Sequence, residues 1–231
     1  MSNVALPMPT SAVRSLAAWT SICAILGFHV LSIVLIFLRP DLDPSWHTIS
    51  EWSIGPFGWL MSLAFLLSGV AYASLIITVR ARVSGRYGRV GLALLGICVI
   101  GTFGVGIFTT DPLTAASLSL RGVLHVVFGA SALILLPFAA LFINLDLAYR
   151  NSAWVSALLA CGGLPLAGFL SFAVYTAISV APPAHPGPGV NIGWPLRFAF
   201  FTYMLWVVSL ASLCIRAGGS LISNEAEAND A

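Results

Sequence analysis

Lysine is absent from this 231-residue chain, and all ten of its basic residues are arginine. Charge of either sign is scarce: 8% of the residues are charged, against about 25% in a soluble domain. Such a chain lacks the polar surface that keeps a globular enzyme in water. Its formal charge of +2 also falls short of the basic face that a nucleic-acid partner requires. No separator between apolar runs is long enough for a soluble domain; the longest covers residues 39–56. The four cysteines, Cys23, Cys98, Cys161 and Cys214, stand far apart inside apolar runs. With no C-x-x-C pair, neither a zinc knuckle nor a redox motif is present, and each reads as a small buried hydrophobe.

What the chain has in abundance is apolar sequence, 59% of its residues, with a mean hydropathy of +0.99. A helix crosses ~30 Å of hydrocarbon with roughly 20 mostly apolar residues. Six stretches qualify: Ser15–Leu38, Phe57–Val79, Val90–Thr110, Gly122–Ile143, Ala153–Ile178 and Leu196–Ile215. The separators carry prolines, glycines and charges, and the short alternating segments of a membrane β-barrel are missing. The expected fold is an all-α, polytopic bundle of six transmembrane helices. Residues 1–216 form the one domain, and 217–231 a short, acidic, disordered tail.

Arginine sets the expected orientation. Arg14, Arg80, Arg82, Arg86, Arg89, Arg150 and Arg216 fall on one side, while Arg39, Arg121 and Arg197 fall on the other. Both termini are therefore expected in the cytoplasm, in a multi-pass protein of the cell membrane. The first apolar run is too long for the core of a cleaved signal peptide and lacks a clear cleavage site after it, so it reads as a retained span.

The outer side collects Asp41, Asp43, His47, Glu51, Asp111, His125 and His185, which insertion alone does not explain. In DPSWHTISEW, Asp43 followed by Pro44 reads as an N-cap with proline at the first helical position. A short interfacial helix would follow, with His47, Ser50 and Glu51 on one edge. In GIFTTDP, Asp111 is placed at the end of the third span, where the macrodipole disfavours an anion; Arg121 and Arg197 are the candidate cations. In LRGVLHVVFG, Arg121 and His125 are four apart on one face, and an ionisable residue inside a span is a functional candidate by default. His29, alone in mid-span, is expected to hydrogen-bond a neighbouring helix. Its depth differs from that of His125, which argues against a shared haem. His185 lies in the Pro- and Gly-rich segment APPAHPGPG and is expected to be exposed. The glycines of the third span, from Gly91 to Gly106, should let neighbouring helices approach closely, and Pro165 should kink the fifth.

H-x-I-S-E after the first span, G-I-F-x-x-D-P ending the third and a histidine one turn into the fourth together resemble the DUF998 family of bacterial and archaeal membrane proteins. That family is loosely similar to six-span proteins of the Frag1/DRAM/Sfk1 type. The resemblance runs from about Ala18 to Ile215 and touches His47, Ser50, Glu51, Asp111, Pro112 and His125. It implies a six-span architecture and a polar cluster, but no reaction.

Three functions are open for the cluster. His47, Ser50, Glu51, Asp111, Arg121, His125 and Arg197 would bind a lipid headgroup or small polar ligand above an apolar groove. Alternatively His47, Glu51, Asp111 and His125 would hold zinc or another divalent ion. Glu51, Asp111 and His125 would then be the catalytic candidates of an intramembrane enzyme acting on a lipid or isoprenoid-like substrate, although no H-E-x-x-H spacing supports it. In the third reading the same residues form a structural cap that satisfies helix ends. Membrane lipids are the partners all three share.

Overall fold

Each of the six apolar runs forms a helix in the computed structural model, which describes residues 10–150, 154–180 and 187–229, with side chains through Ala217. The helices are α1 (Ser11–Leu38), α2 (Gly58–Val79), α3 (Arg86–Ile107), α4 (Leu120–Arg150), α5 (Val155–Ser179) and α6 (Gly193–Asn229). All six are long and apolar enough to cross a membrane, with Gly193–Ala217 as the span of α6. One short 3₁₀ helix, Ile49–Ser53, lies between α1 and α2. Among the described residues there is no strand. Residue 185 and the loop prolines beside it lie outside the described residues.

Several bounds differ from the apolar runs because a helix does not stop where apolar sequence stops. α4 continues past Ile143 through Asn144 and Asp146 to Arg150. α3 starts earlier, at Arg86, and ends at Ile107, so Thr109, Thr110 and Asp111 belong to the following loop. Pro137 and Pro165 both lie inside continuous helix.

Consecutive helices pack as neighbours, and α1 returns to α6, closing the ring; α2 and α6 also meet inside it. The most extensive pairing is between α3 and α4, and glycine explains it. A Cβ on Gly101 would come within 2.7 Å of the Phe128 carbonyl, and one on Gly104 would enter the Phe128 ring. Large apolar side chains cover the outside of the ring, Ile100 at 63% and Val127 at 59% exposure, as lipid-facing surfaces require. Two apolar clusters fill the interior. The larger includes Tyr72, Leu75, Ile143, Tyr203 and Trp206; the smaller includes Phe28, Leu35, Trp52, Met61 and Phe65.

The antiparallel order gives the bundle two distinct ends. One, here the polar end, carries the α1–α2, α3–α4 and α5–α6 connections. The other, the arginine-rich end, carries the α2–α3 and α4–α5 connections.

Candidate functional site

The α1–α2 connection at the polar end is held by two arginines. Arg39, only 8% exposed, donates from Nε and Nη2 to the Asp41 carboxylate at 2.9 and 2.7 Å, and from Nη1 to the carbonyls of Ile54 and Pro56. The guanidinium holds the Asp41 carboxyl below its ordinary range. Arg197 reaches across from α6. Its Nη1 donates to the carbonyls of Pro44 (2.9 Å), His47 (3.0 Å) and Gly193 (3.1 Å), and its guanidinium lies 4.5 Å from the centre of the Trp52 ring, a cation–π distance.

Asp43 does not start a helix. Its Oδ1 accepts the Ser45 N–H at 2.8 Å, a local Asx turn that competes with capping, and this bond holds the Asp43 carboxyl below its ordinary range. The 3₁₀ helix begins five residues after Pro44, behind Thr48. Glu51 makes that start possible: its Oε2 accepts the Thr48 N–H at 2.9 Å, the reciprocal half of a capping box. Its Oε1 crosses to the α3–α4 connection and accepts the Leu113 N–H at 2.9 Å. A carboxylate 4% exposed is thus satisfied by two backbone donors on separate segments, the kind of charge-assisted bonding that makes burial tolerable.

Asp111 is anchored differently from the sequence expectation. Neither Arg121 nor Arg197 pairs with it. Its Oδ2 accepts the Ser119 N–H at 2.6 Å and its Oδ1 accepts the Ser119 hydroxyl at 3.0 Å. Ser119 precedes α4, and its Oγ in turn accepts the Gly122 N–H at 3.1 Å. The carboxylate therefore sits at the positive end of the α4 dipole, where an anion is stabilised. The expectation placed Asp111 at the C-terminal end of α3; because α3 stops at Ile107, the loop turns the side chain onto the next helix. Arg121 is left exposed, with no hydrogen bond or ion pair among the described residues.

His125, 4% exposed on α4, has Nδ1 at 2.6 Å from the Phe108 carbonyl. That carbonyl accepts, so Nδ1 carries the proton. Phe65 meets the imidazole edge-on at 6.1 Å between centres. His47 is half-buried, its ring 3.6 Å from that of Trp46 and its Nδ1 3.1 Å from the Asp43 carbonyl. His29 hydrogen-bonds within α1 and also faces the Phe200 backbone of α6. Its Nδ1 lies 3.0 Å from the carbonyl of Ile25, one turn back on the same helix, and its Nε2 is buried without a partner.

Glu51, Asp111 and His125 thus meet on the α3–α4 connection without hydrogen-bonding one another. Glu51 takes Leu113, Asp111 takes Ser119, and His125 takes Phe108. Among the described residues no three His, Cys, Asp or Glu side chains gather as a metal would require. Ser50 faces inward, onto a mostly apolar cavity of about 50 Å³ lined also by Phe65, Ser68, Thr102, Phe200 and Tyr203. That is room enough for water, which its hydroxyls suit.

Two polar residues of the interior escaped the sequence reading. Asp146, 6% exposed, accepts the Ser84 N–H at 3.2 Å beside the start of α3, with the Arg150 Nε at 3.5 Å. Asn144, 1% exposed, ties three helices: its Nδ2 donates to the Leu158 carbonyl at 2.8 Å and its Oδ1 accepts the Trp206 indole N–H at 3.0 Å. Asn144 directly follows the apolar run that ends at Ile143, and a carboxamide carried into a span needs partners there.

The family described as Protein of unknown function (DUF998) matches residues 22–213, from α1 into the last span and across every element just described. This chain is a DUF998 protein. No curated protein and no solved structure matches it. In this DUF998 protein, then, three of the six residues that carried the family resemblance join helix ends at the polar end: Glu51, Asp111 and His125 each hold backbone of the α3–α4 connection.

Proposed function

We propose that this DUF998 protein is a multi-pass membrane protein of the structural or interaction class, whose polar-end residues act as a clasp between helix ends. The observation that carries this reading is Glu51, whose two oxygens hold Thr48 and Leu113 on different connections. Arg197 extends the clasp to α6, and Asp111 and His125 extend it to α4. Both carboxylates accept hydrogen bonds from protein donors, and His125 donates to a backbone carbonyl, as a cap requires. Both termini lie in the cytoplasm and the clasp faces outward across the cell membrane, as the arginine asymmetry supports. Reporter fusions after Arg86 and after Ala231 test the topology: both give a cytoplasmic signal, and an external signal from either overturns it.

Elemental analysis of the purified protein, with a small-molecule extract of the same sample, tests the clasp. The expected result is no metal at one per chain and no polar ligand that Asp111→Asn releases. Stoichiometric zinc would favour the metal-assisted enzyme and overturn the clasp.

A second reading, binding of a small polar ligand, rests on the cavity under Ser50, where a few hydroxyls edge an otherwise apolar lining. A ligand released on Ser50→Val and Thr102→Val substitution would support it over the clasp alone.

A further inference from the structure

At the arginine-rich end a groove of about 290 Å³ opens between α4, α5 and α6. Its floor is apolar, with Leu147, Leu158, Leu210 and Leu213. Its rim carries Arg82, Arg150 and Trp154, two cations and an aromatic of the kind that settles at a membrane interface.

The arginines are only partly engaged. Arg82 donates from Nη1 to the Thr78 carbonyl and from Nη2 to the Cys214 carbonyl, each at 3.1 Å. These two bonds fix the guanidinium over the groove and, among the described residues, leave Nε and the second hydrogen of each Nη without a partner. Arg150 meets Asp146 through Nε at 3.5 Å, with its side chain 45% exposed. Its terminal nitrogens make no hydrogen bond among the described residues. Asp146 offsets one positive charge, and its carboxylate is drawn toward the Ser84 N–H. The rim therefore keeps a net positive charge, carried by forked donors that match a phosphate.

We propose that this groove is a binding site for an anionic phospholipid of the surrounding membrane. The phosphodiester head sits between Arg82 and Arg150, and the upper part of an acyl chain lies on the leucine floor. Charge complementarity selects the occupant: a zwitterionic lipid would add a third cation beside the two arginines, and a free anion would leave the apolar floor uncovered. Basic pockets between transmembrane helices bind acidic headgroups on this principle. The site is separate from the polar-end clasp and does not depend on it.

Native mass spectrometry of the full chain, released from mixed vesicles of phosphatidylglycerol and phosphatidylcholine, tests the proposal. The expected result is one retained phosphatidylglycerol per chain. Its affinity should fall about fivefold for each of Arg82→Gln and Arg150→Gln and roughly thirtyfold for both. Because Arg82 also ties α2 to α6, Leu213→Trp provides the independent check: it fills the groove with both arginines kept, and should remove the lipid while the melting profile stays as in the parent. Equal retention of phosphatidylcholine, equal protection by inorganic phosphate alone, a lipid-free dimer, or a lipid unaffected by Leu213→Trp would each overturn the proposal.

Discussion

Gly122 leaves the space that the Asp111 carboxylate fills. A Cβ at residue 122 would overlap Oδ2, so the cap on α4 depends on a missing side chain as much as on the acid. Gly122→Ala should push the carboxylate off Ser119 and cost about 1–3 kcal/mol. Gly96→Ala is the matched control, because nothing lies within 4 Å of its Cβ position. It should be neutral or stabilise by up to about 1 kcal/mol through helix propensity. Thermal melts of the two variants in one detergent decide the matter, and equal shifts would contradict the packing argument.

The arginine-rich end repeats the device with the helices exchanged. There Asp146 from α4 approaches the start of α3, and a Cβ on Gly85 would overlap its Oδ1. Asp146→Ala should destabilise the bundle more than Asp146→Asn, which keeps an acceptor for the Ser84 N–H. The Ala variant leaves that donor poorly satisfied, at a cost of about 1–3 kcal/mol. An Asn variant that melts below the Ala variant would refute the assignment.

The bridge from Glu51 to Leu113 can be read at one amide. In the parent protein the Leu113 N–H is hydrogen-bonded to Oε1 and should exchange slowly. Glu51→Ala should speed exchange across the α3–α4 connection and leave the mid-span amides of α3 unchanged. Uniform acceleration along α3 would mean that global unfolding, and not loss of a local latch, is being observed.

Arg39 and Asp41 give a pH dependence of known sign. The pair lowers the Asp41 carboxyl pKa, so its stabilisation is complete above the ordinary carboxylate range and is lost as pH falls through the lowered folded value. The stability gap between parent and Asp41→Asn should therefore be constant from pH 5 to 7 and close only in strong acid. The assay is the melting temperature at each pH; a gap that closes on approaching pH 7 would have the wrong sign.

Much of the fold is legible in the sequence because the bilayer imposes it. Hydrocarbon thickness fixes span length, so Ser15–Leu38 and Phe57–Val79 are read nearly as they stand in α1 and α2. The pairing of α3 with α4 follows from glycines, whose absence of a side chain is visible directly. The partners of the polar residues are less legible, because hydrogen bonding depends on where a loop turns. Asp111 moved from one helix end to the next through a three-residue difference in the end of α3. Glu51 is singled out by its chemistry, but its partner, the Leu113 backbone, carries no sequence mark. Asp146 carries no mark of its role in the sequence, since burial beside Ser84 arises only when α3 and α4 are packed.

The most direct test of the clasp is the melting temperature of Glu51→Gln, Asp111→Asn and His125→Gln, measured beside the metal and small-molecule content of the same samples. These replacements keep size and part of the hydrogen bonding, so they act chiefly on charge and ligand chemistry. The clasp predicts that each variant melts below the parent, with no metal or polar ligand lost. Variants that melt like the parent while releasing a metal or a ligand would contradict it.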